Sequence, residues 1–149
     1  MMGLDVGERR IGVAIADELG MIASPLLTVP RGDGDLGALR DLAVSRGVTR
    51  LVVGLPTGLS GREGPQAAIV RAFADALEEA VGPDIAVAFW DERLTTTVAE
   101  RALRGRRTRR DRRKGEVDAM AAAVILQGYL DACRARAVQR GEHDGGKAR

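Results

Sequence analysis

Between Arg10 and Asp17 the chain alternates with a period of two. Ile11, Val13 and Ile15 are bulky, and the intervening Gly12, Ala14 and Ala16 are small. This predicts a strand with bulk on one face and, on the other, room for something packed closely. Met1 to Val6 forms an apolar stretch before the Gly7-Glu8-Arg9 break, and Ile22 to Val29 forms another before Pro30-Arg31-Gly32. Together the three read as an antiparallel meander. After Gly32-Asp33-Gly34 the period lengthens: Leu36, Leu39, Leu42 and Ala43 recur at helical spacing until Gly47, a natural C-terminal stop. Arg50 to Gly54, with its Leu51-Val52-Val53 run, suits a strand buried on both faces. A glycine-rich loop from Leu55 to Gly64 leads into a helix with Pro65 at its first position. Ala68, Val70, Phe73, Ala74 and Leu77 lie on its inner stripe, and Gly82-Pro83 ends it. Ile85 to Trp90 reads as another buried strand. Thr97 with Glu100 fits a capping box for a helix to about Leu103, and a final helix covers Glu116 to about Arg136. The order β-β-β-α-β-α-β-α-α predicts an α/β fold, a mixed sheet with helices on its faces. Residues 1–138 read as one domain and 139–149 as a disordered polar tail.

Composition narrows the chemistry. With 149 residues, 45% apolar and 30% charged, the chain can bury one core. No run approaches the ~20 apolar residues of a membrane helix, and Met1 to Asp5 lacks the basic start of a signal peptide. The expected setting is cytoplasmic, with no membrane partner. A single Cys133 excludes an internal disulfide framework, and a single His143 excludes His/Cys zinc clusters and a Ser-His-Asp triad. Catalysis must therefore use carboxylates, arginine or lysine, hydroxyls or backbone groups. The formal net charge of +2 hides an uneven distribution: residues 101–114 hold nine basic residues and one acid, a net +8, which leaves −6 for the rest. Such a segment suits phosphate contacts on a nucleic acid, while an acidic body suits divalent cations. The aromatics are few (Phe73, Phe89, Trp90 and Tyr129), so recognition should rest on backbone shape and charge rather than on base stacking.

Four acids stand out. Asp5 lies between Leu4 and Val6 in a strand that should be central, where an ionised carboxylate is costly unless paired or bound to metal. Asp91 and Glu92 end a buried strand, and Asp118 falls in the first turn of the last helix. In an open α/β sheet such ends commonly meet on one side. Each acid also has an ordinary explanation: Asp5 as a turn-anchoring acceptor, Glu92 as an ion-pair partner, Asp118 as a dipole partner at a helix start. The loop from Gly54 to Gly64 has the composition of a backbone phosphate cradle but lacks the Gly-Lys-Ser/Thr ending of a nucleotide triphosphate loop, so a plain turn reads equally well.

Four stretches, LDVGERRIGVAIAD (4–17), VVGLPTGLSGREGPQA (52–67), DERLTTTVAE (91–100) and KGEVDAMAAAVILQGYLD (114–131), together resemble the YqgF/RuvX family of RNase H-like nucleases. Members of that family are described as Holliday junction resolvases and as nucleases that mature the 5′ end of the small-subunit ribosomal RNA precursor. The resemblance implies an RNase H-like fold, a five-stranded mixed sheet with its first three strands antiparallel, flanked by helices. It places the acidic positions, as ligands for two Mg²⁺ or Mn²⁺ ions, on Asp5, Glu92 and Asp118, with Asp91 a weaker candidate. The expected activity is metal-dependent phosphodiester hydrolysis, with pre-16S rRNA as substrate and the pre-ribosomal particle as its setting. Nucleic-acid contacts are expected from Arg93, Arg104, Arg106, Arg107, Arg109, Arg110 and Lys114. Thr95 and Thr96 fit a helix start better than a phosphate contact. Two alternatives stay open: a homodimer cutting branched DNA, and a non-catalytic RNA- or ribosome-associated factor. The Asp5-Val6-Gly7 pattern also resembles the first phosphate loop of actin-like kinases, which need two such domains in a longer chain.

Overall fold

A computed structural model describes residues 1–58, 60–94 and 113–145. The expected Thr97–Glu100 helix start, Thr95, Thr96, Arg104, Arg106, Arg107, Arg109 and Arg110 lie outside these residues, as does the side chain of Lys114. Strands β1 (Met2–Val6), β2 (Arg10–Ala16) and β3 (Ala23–Pro30) form the antiparallel meander, and helix α1 (Asp35–Ser45) follows. Then come β4 (Arg50–Leu55), α2 (Pro65–Val81), β5 (Ala86–Asp91), a short 3₁₀ turn (Glu92–Leu94) and α3 (Arg113–Gly145). The sheet order is β3-β2-β1-β4-β5, with β4 parallel to both β1 and β5. This is the five-stranded mixed α/β sheet that an RNase H-like fold implies.

The period-two pattern of β2 divides the molecule. Ile11 and Val13 point to the face covered by α1 and α2, where Met2, Leu4, Leu39, Leu51, Val53, Val70 and Leu77 complete a core of large side chains. Gly12 and Ala14 point to the other face, covered by α3, where Ala122, Ala123, Ile125, Leu126 and Leu130 pack on Ala14 and Val52. A Cβ on Gly3 would stand 2.7 Å from the Cβ of Leu126 and 2.9 Å from the carbonyl oxygen of Ala122. At both distances something would have to shift, so α3 rests on the sheet at backbone range and small residues are required beneath it.

Three details depart from the expectations. Ala67, not Ala68, is the first buried residue of α2, because the inward stripe runs 67, 70, 74, 77 at steps of three and four. β5 is half-buried rather than enclosed, since it is the outer strand of the sheet. The last helix starts at Arg113, so Asp118 sits a full turn inside it, and it continues to Gly145. Residues 139–145 thus lie within this helix, past the end expected near Arg136. Within the described residues no helix is long and apolar enough to cross a membrane.

Candidate active site

Asp5 lies one residue from the end of β1, the central strand, on the face that meets α3. Its antiparallel partner on β2 is Gly12. On the other side, Leu4 is level with Val53 of β4, which brings Gly54 alongside Asp5. Residues level across neighbouring strands point to one face, so a carboxylate is flanked on both sides by residues without a side chain. Two further acids use the space those glycines leave. A Cβ on Gly12 would run into the carbonyl oxygen of Asp118 and lie 3.0 Å from the amide nitrogen of Ala119, so only glycine lets α3 settle there. A Cβ on Gly54 would run into Ile125 and stand 2.8 Å from Oε1 of Glu92. Glu92, in the 3₁₀ turn after β5, thus extends its carboxylate over Gly54.

The site is electrostatically tense. Burial raises the Asp5 carboxyl from its ordinary 3.8 to about 6, with the negative charge of Asp118 adding to the effect. Burial pushes Glu92 up to about 7, with further contributions from Asp5 and then Asp91. Among the described residues no hydrogen-bond donor or cationic side chain meets the carboxylate of either Asp5 or Glu92. Asp118 is different: Nε of Arg10 donates to its Oδ2 at 3.0 Å.

Asp91, the weaker candidate, is fully occupied. Thr57 Oγ1 donates to its Oδ1 at 2.5 Å, the backbone N–H of Arg93 donates at 2.9 Å, and Arg93 also binds both oxygens through its guanidinium. These bonds, led by the guanidinium, hold the Asp91 carboxyl well below the usual range. Arg93, expected to contact nucleic acid, is here the clamp of Asp91. Two amides of the glycine-rich loop are spent within it: Gly58 N–H donates to the Arg62 carbonyl at 3.0 Å and Gly61 N–H to the Gly58 carbonyl at 2.8 Å. Of the two readings of this loop, the plain turn fits these bonds better than the phosphate cradle.

The structure therefore gathers Asp5, Glu92 and Asp118 around one end of the central strand and sets Asp91 apart in its own ion pair. Within the described residues no three acids, histidines or cysteines stand close enough to form a closed ligand set for a metal ion. The three carboxylates are suited to a hard cation in donor type. Sequence reasoning missed two participants. Gly54 makes room for Glu92, and it had no signal in the sequence, because the register of β4 against β1 is visible only in the folded sheet. Arg10 pairs with Asp118, and its only signal was that it shares a strand face with Gly12.

Comparison with known proteins matches residues 1–132 to the family model described as RuvX, Holliday junction resolvase. A protein of Roseobacter denitrificans named "Putative pre-16S rRNA nuclease" is 47% identical over 146 residues, covering 97% of this chain and 88% of its own. Proteins of the same name from Symbiobacterium thermophilum (49% over 136 residues, 90% of this chain and 93% of its own) and Moorella thermoacetica (50% over 133 residues, 88% and 94%) are similarly close. Among solved structures, T. thermophilus RuvC in complex with a Holliday junction substrate superposes over 88% of this chain and 94% of its own, with TM-score 0.49 and 15% identity, too low a likeness to bear on function. The match over residues 1–132 spans the strands and helices that place Asp5, Glu92 and Asp118, and the chain belongs to the RuvX family of nucleases.

Proposed function

We propose that the protein is a divalent-metal-dependent nuclease that hydrolyses phosphodiester bonds and trims the 5′ end of pre-16S rRNA. The observation that carries this reading is the glycine-flanked Asp5. A carboxylate at the end of the central strand, with Glu92 over one flanking glycine and Asp118 over the other, has been given space instead of partners. Burying acids together without a cation is unfavourable, and a fold retains such an arrangement where the charge is used.

Asp5, Glu92 and Asp118 would hold Mg²⁺ or Mn²⁺, which supplies Lewis-acid neutralisation of the phosphate and a nucleophilic water at neutral pH. The chain's own part is placement. β1 fixes Asp5, the 3₁₀ turn brings Glu92 in from β5, and α3 delivers Asp118 across Gly12. The half-buried setting of Asp5 and Glu92 limits competing water and strengthens their attraction for a cation. Thr57 and Arg93, by holding Asp91, offset a fourth negative charge next to the cluster and set the direction in which the chain leaves β5. No side chain forms a covalent bond to substrate in this scheme.

The RNA substrate is favoured by the names of the relatives and by the scarcity of aromatics, which suits reading of backbone shape with the precursor positioned by the pre-ribosomal particle. One active site suffices to cut one RNA end, whereas paired cuts in a four-way junction need two sites related by a two-fold axis.

The test offers purified protein a pre-16S 5′ leader fragment, single strands and four-way DNA junctions, each with and without Mn²⁺. Cutting of the RNA leader is expected, and Asp5→Asn or Asp118→Asn should lower it on the order of 10³-fold, the scale of losing several kcal/mol of charge stabilisation. Paired symmetric nicks in junctions with intact RNA would replace this substrate by branched DNA. Absence of both metal binding and cutting would leave a non-catalytic RNA factor.

A further inference from the structure

Arg10 opens β2, immediately after the Gly7-Glu8-Arg9 turn, and strand alternation puts its side chain on the face of Gly12, where α3 and the three acids lie. Its hydrogen bonding differs from that of Arg71 and Arg93, the two arginines that close on an acid with a forked grip. Arg71 grips Glu63 through both Nε and Nη2, and Arg93 grips Asp91 through the same two atoms. These are forked pairs, the geometry in which guanidinium and carboxylate satisfy one another. Arg10 touches Asp118 with Nε alone, at 3.0 Å. No acceptor among the described residues takes its Nη1 or Nη2, and the side chain keeps 37% of its surface exposed.

An arginine whose Nε is anchored on a carboxylate is fixed in orientation, and its two terminal amines then point in a set direction with four N–H donors unspent. On the sheet face that carries Asp5 and Glu92 there is a reason for such a group. A phosphate approaching two half-buried carboxylates is repelled, and one cation on the same face offsets part of that repulsion. We propose that Arg10 is a phosphate-binding residue of the substrate site: Asp118 positions it through Nε, and Nη1 and Nη2 take the non-bridging oxygens of one backbone phosphate of the nucleic acid. This rests on the nuclease reading and adds to it a contact from the β1–β2 turn, far in sequence from the basic segment 101–114. The ligand is a single phosphodiester of the strand, recognised without regard to base.

The experiment measures binding of a fluorescein-labelled single-stranded RNA oligonucleotide by anisotropy across a KCl series, without divalent ions, for wild type, Arg10→Ala, Arg10→Gln and Arg40→Ala. Gln retains an amide that can donate to Asp118 but carries no charge, so a merely structural role would leave Arg10→Gln like wild type. Arg40, exposed on α1 and paired with Asp41, controls for net charge. Both Arg10 variants should flatten the slope of log K against log salt by about 0.7, the release expected for one phosphate contact on a single strand. Arg40→Ala should leave it unchanged. An Arg10→Gln slope equal to that of wild type, or a drop in Arg40→Ala as large as in the Arg10 variants, overturns the proposal. If Arg10→Ala does not fold, Arg10→Gln decides alone. Cutting by wild type in Mn²⁺ is measured in parallel: failure there sinks the nuclease reading, whereas normal cutting with an unchanged Arg10→Gln slope sinks only the role of Arg10.

Discussion

The two faces of the sheet are built on opposite rules. Toward α1 and α2 every inward position of β1 and β4 is large, from Met2, Leu4 and Val6 to Leu51, Val53 and Leu55. Toward α3 the same two strands offer Gly3, Asp5, Val52 and Gly54, and β2 adds Gly12 and Ala14. The first face gains stability from buried area, at roughly 25 cal/mol per Å² of apolar surface. The second gives up side-chain volume so that a helix backbone lies on the sheet, which brings Asp118 to Asp5. One chain thus separates the face that holds it folded from the face that arranges its charges, and the two should respond differently to mutation.

The sharpest way to break that contrast is to exchange their rules. Leu77→Ala, in the fully buried stripe of α2, should cost about 2–5 kcal/mol while the folded fraction cuts its substrate as wild type does. Gly12→Ala removes nothing and adds one methyl, yet it drives that methyl into the backbone of Asp118. It should cost about 3 kcal/mol or more, the upper end for overpacking against groups that cannot move aside, and should lose cutting even where the protein stays folded. Denaturant melts paired with cleavage per folded molecule separate the two. A Gly12→Ala protein with normal cutting would mean that the approach of α3 to β2 does not set the site.

A smaller effect sharpens the electrostatic half of the comparison. Asp5 titrates at about 6 in the fold against an ordinary 3.8. Its raised value means that the folded state holds the proton more tightly than the unfolded chain does. Its contribution to stability is therefore full below about pH 4 and is lost as pH rises toward 6. Asp5→Asn removes this penalty, so the variant should gain on metal-free wild type across that window and level off above it. The gain should reach about 1–3 kcal/mol, its upper end set by the distance from 3.8 to about 6 at about 1.36 kcal/mol per pH unit. Glu92→Gln should follow the same sign with its window extended to about pH 7. Asp91→Asn should do the reverse, since its carboxyl lies below the usual range: it should be less stable than wild type at neutral pH and converge with it in acid. Thermal melts of the metal-free proteins check all three, from pH 4 to pH 8 for Asp5→Asn and Glu92→Gln and from pH 7 down to about pH 2 for Asp91→Asn. A constant offset between Asp5→Asn and wild type would show that Asp5 is not held in a charge-hostile setting.

The unequal faces also explain what was legible in the chain. Alternation of Ile11, Val13 and Ile15 with Gly12, Ala14 and Ala16 announces both the strand and its sidedness, because period two is written in side-chain size. Asp5 between two apolar residues announces a charge with a purpose. The burial of β5 was overestimated because Ala, Val and Phe look alike in an edge strand and a central one, and only the sheet order distinguishes them. That Asp91 is neutralised and Glu92 is not was also hidden, since both follow Trp90 and only the reach of Thr57 and the fold-back of Arg93 separate them. The spacing of the acids in sequence, 5, 92 and 118, carries no sign of their convergence, which depends on a glycine opposite each of two of them.

The smallest expected effect lies on the outer strand of the α3 face. Trp90, level with Gly54 on β5, packs its indole against Gly128 and meets Tyr129 edge to face at 6.3 Å between ring centroids. Tyr129 is held in turn by Arg50, whose Nη1 donates to its hydroxyl at 2.7 Å. The Trp90 Nε1–H is buried and has no acceptor among the described residues, a condition that costs about 1–3 kcal/mol. Trp90→Phe deletes that donor but also leaves a gap where the second ring lay, and the two changes oppose one another. The net change should be under about 1 kcal/mol, whereas Trp90→Ala, which removes the packing altogether, should cost about 3–5 kcal/mol. Urea titrations of the two variants decide it. A loss in Trp90→Phe approaching that of Trp90→Ala would place the stability of this corner in the indole nitrogen, and the α3 face would then hold a second polar device besides its carboxylates.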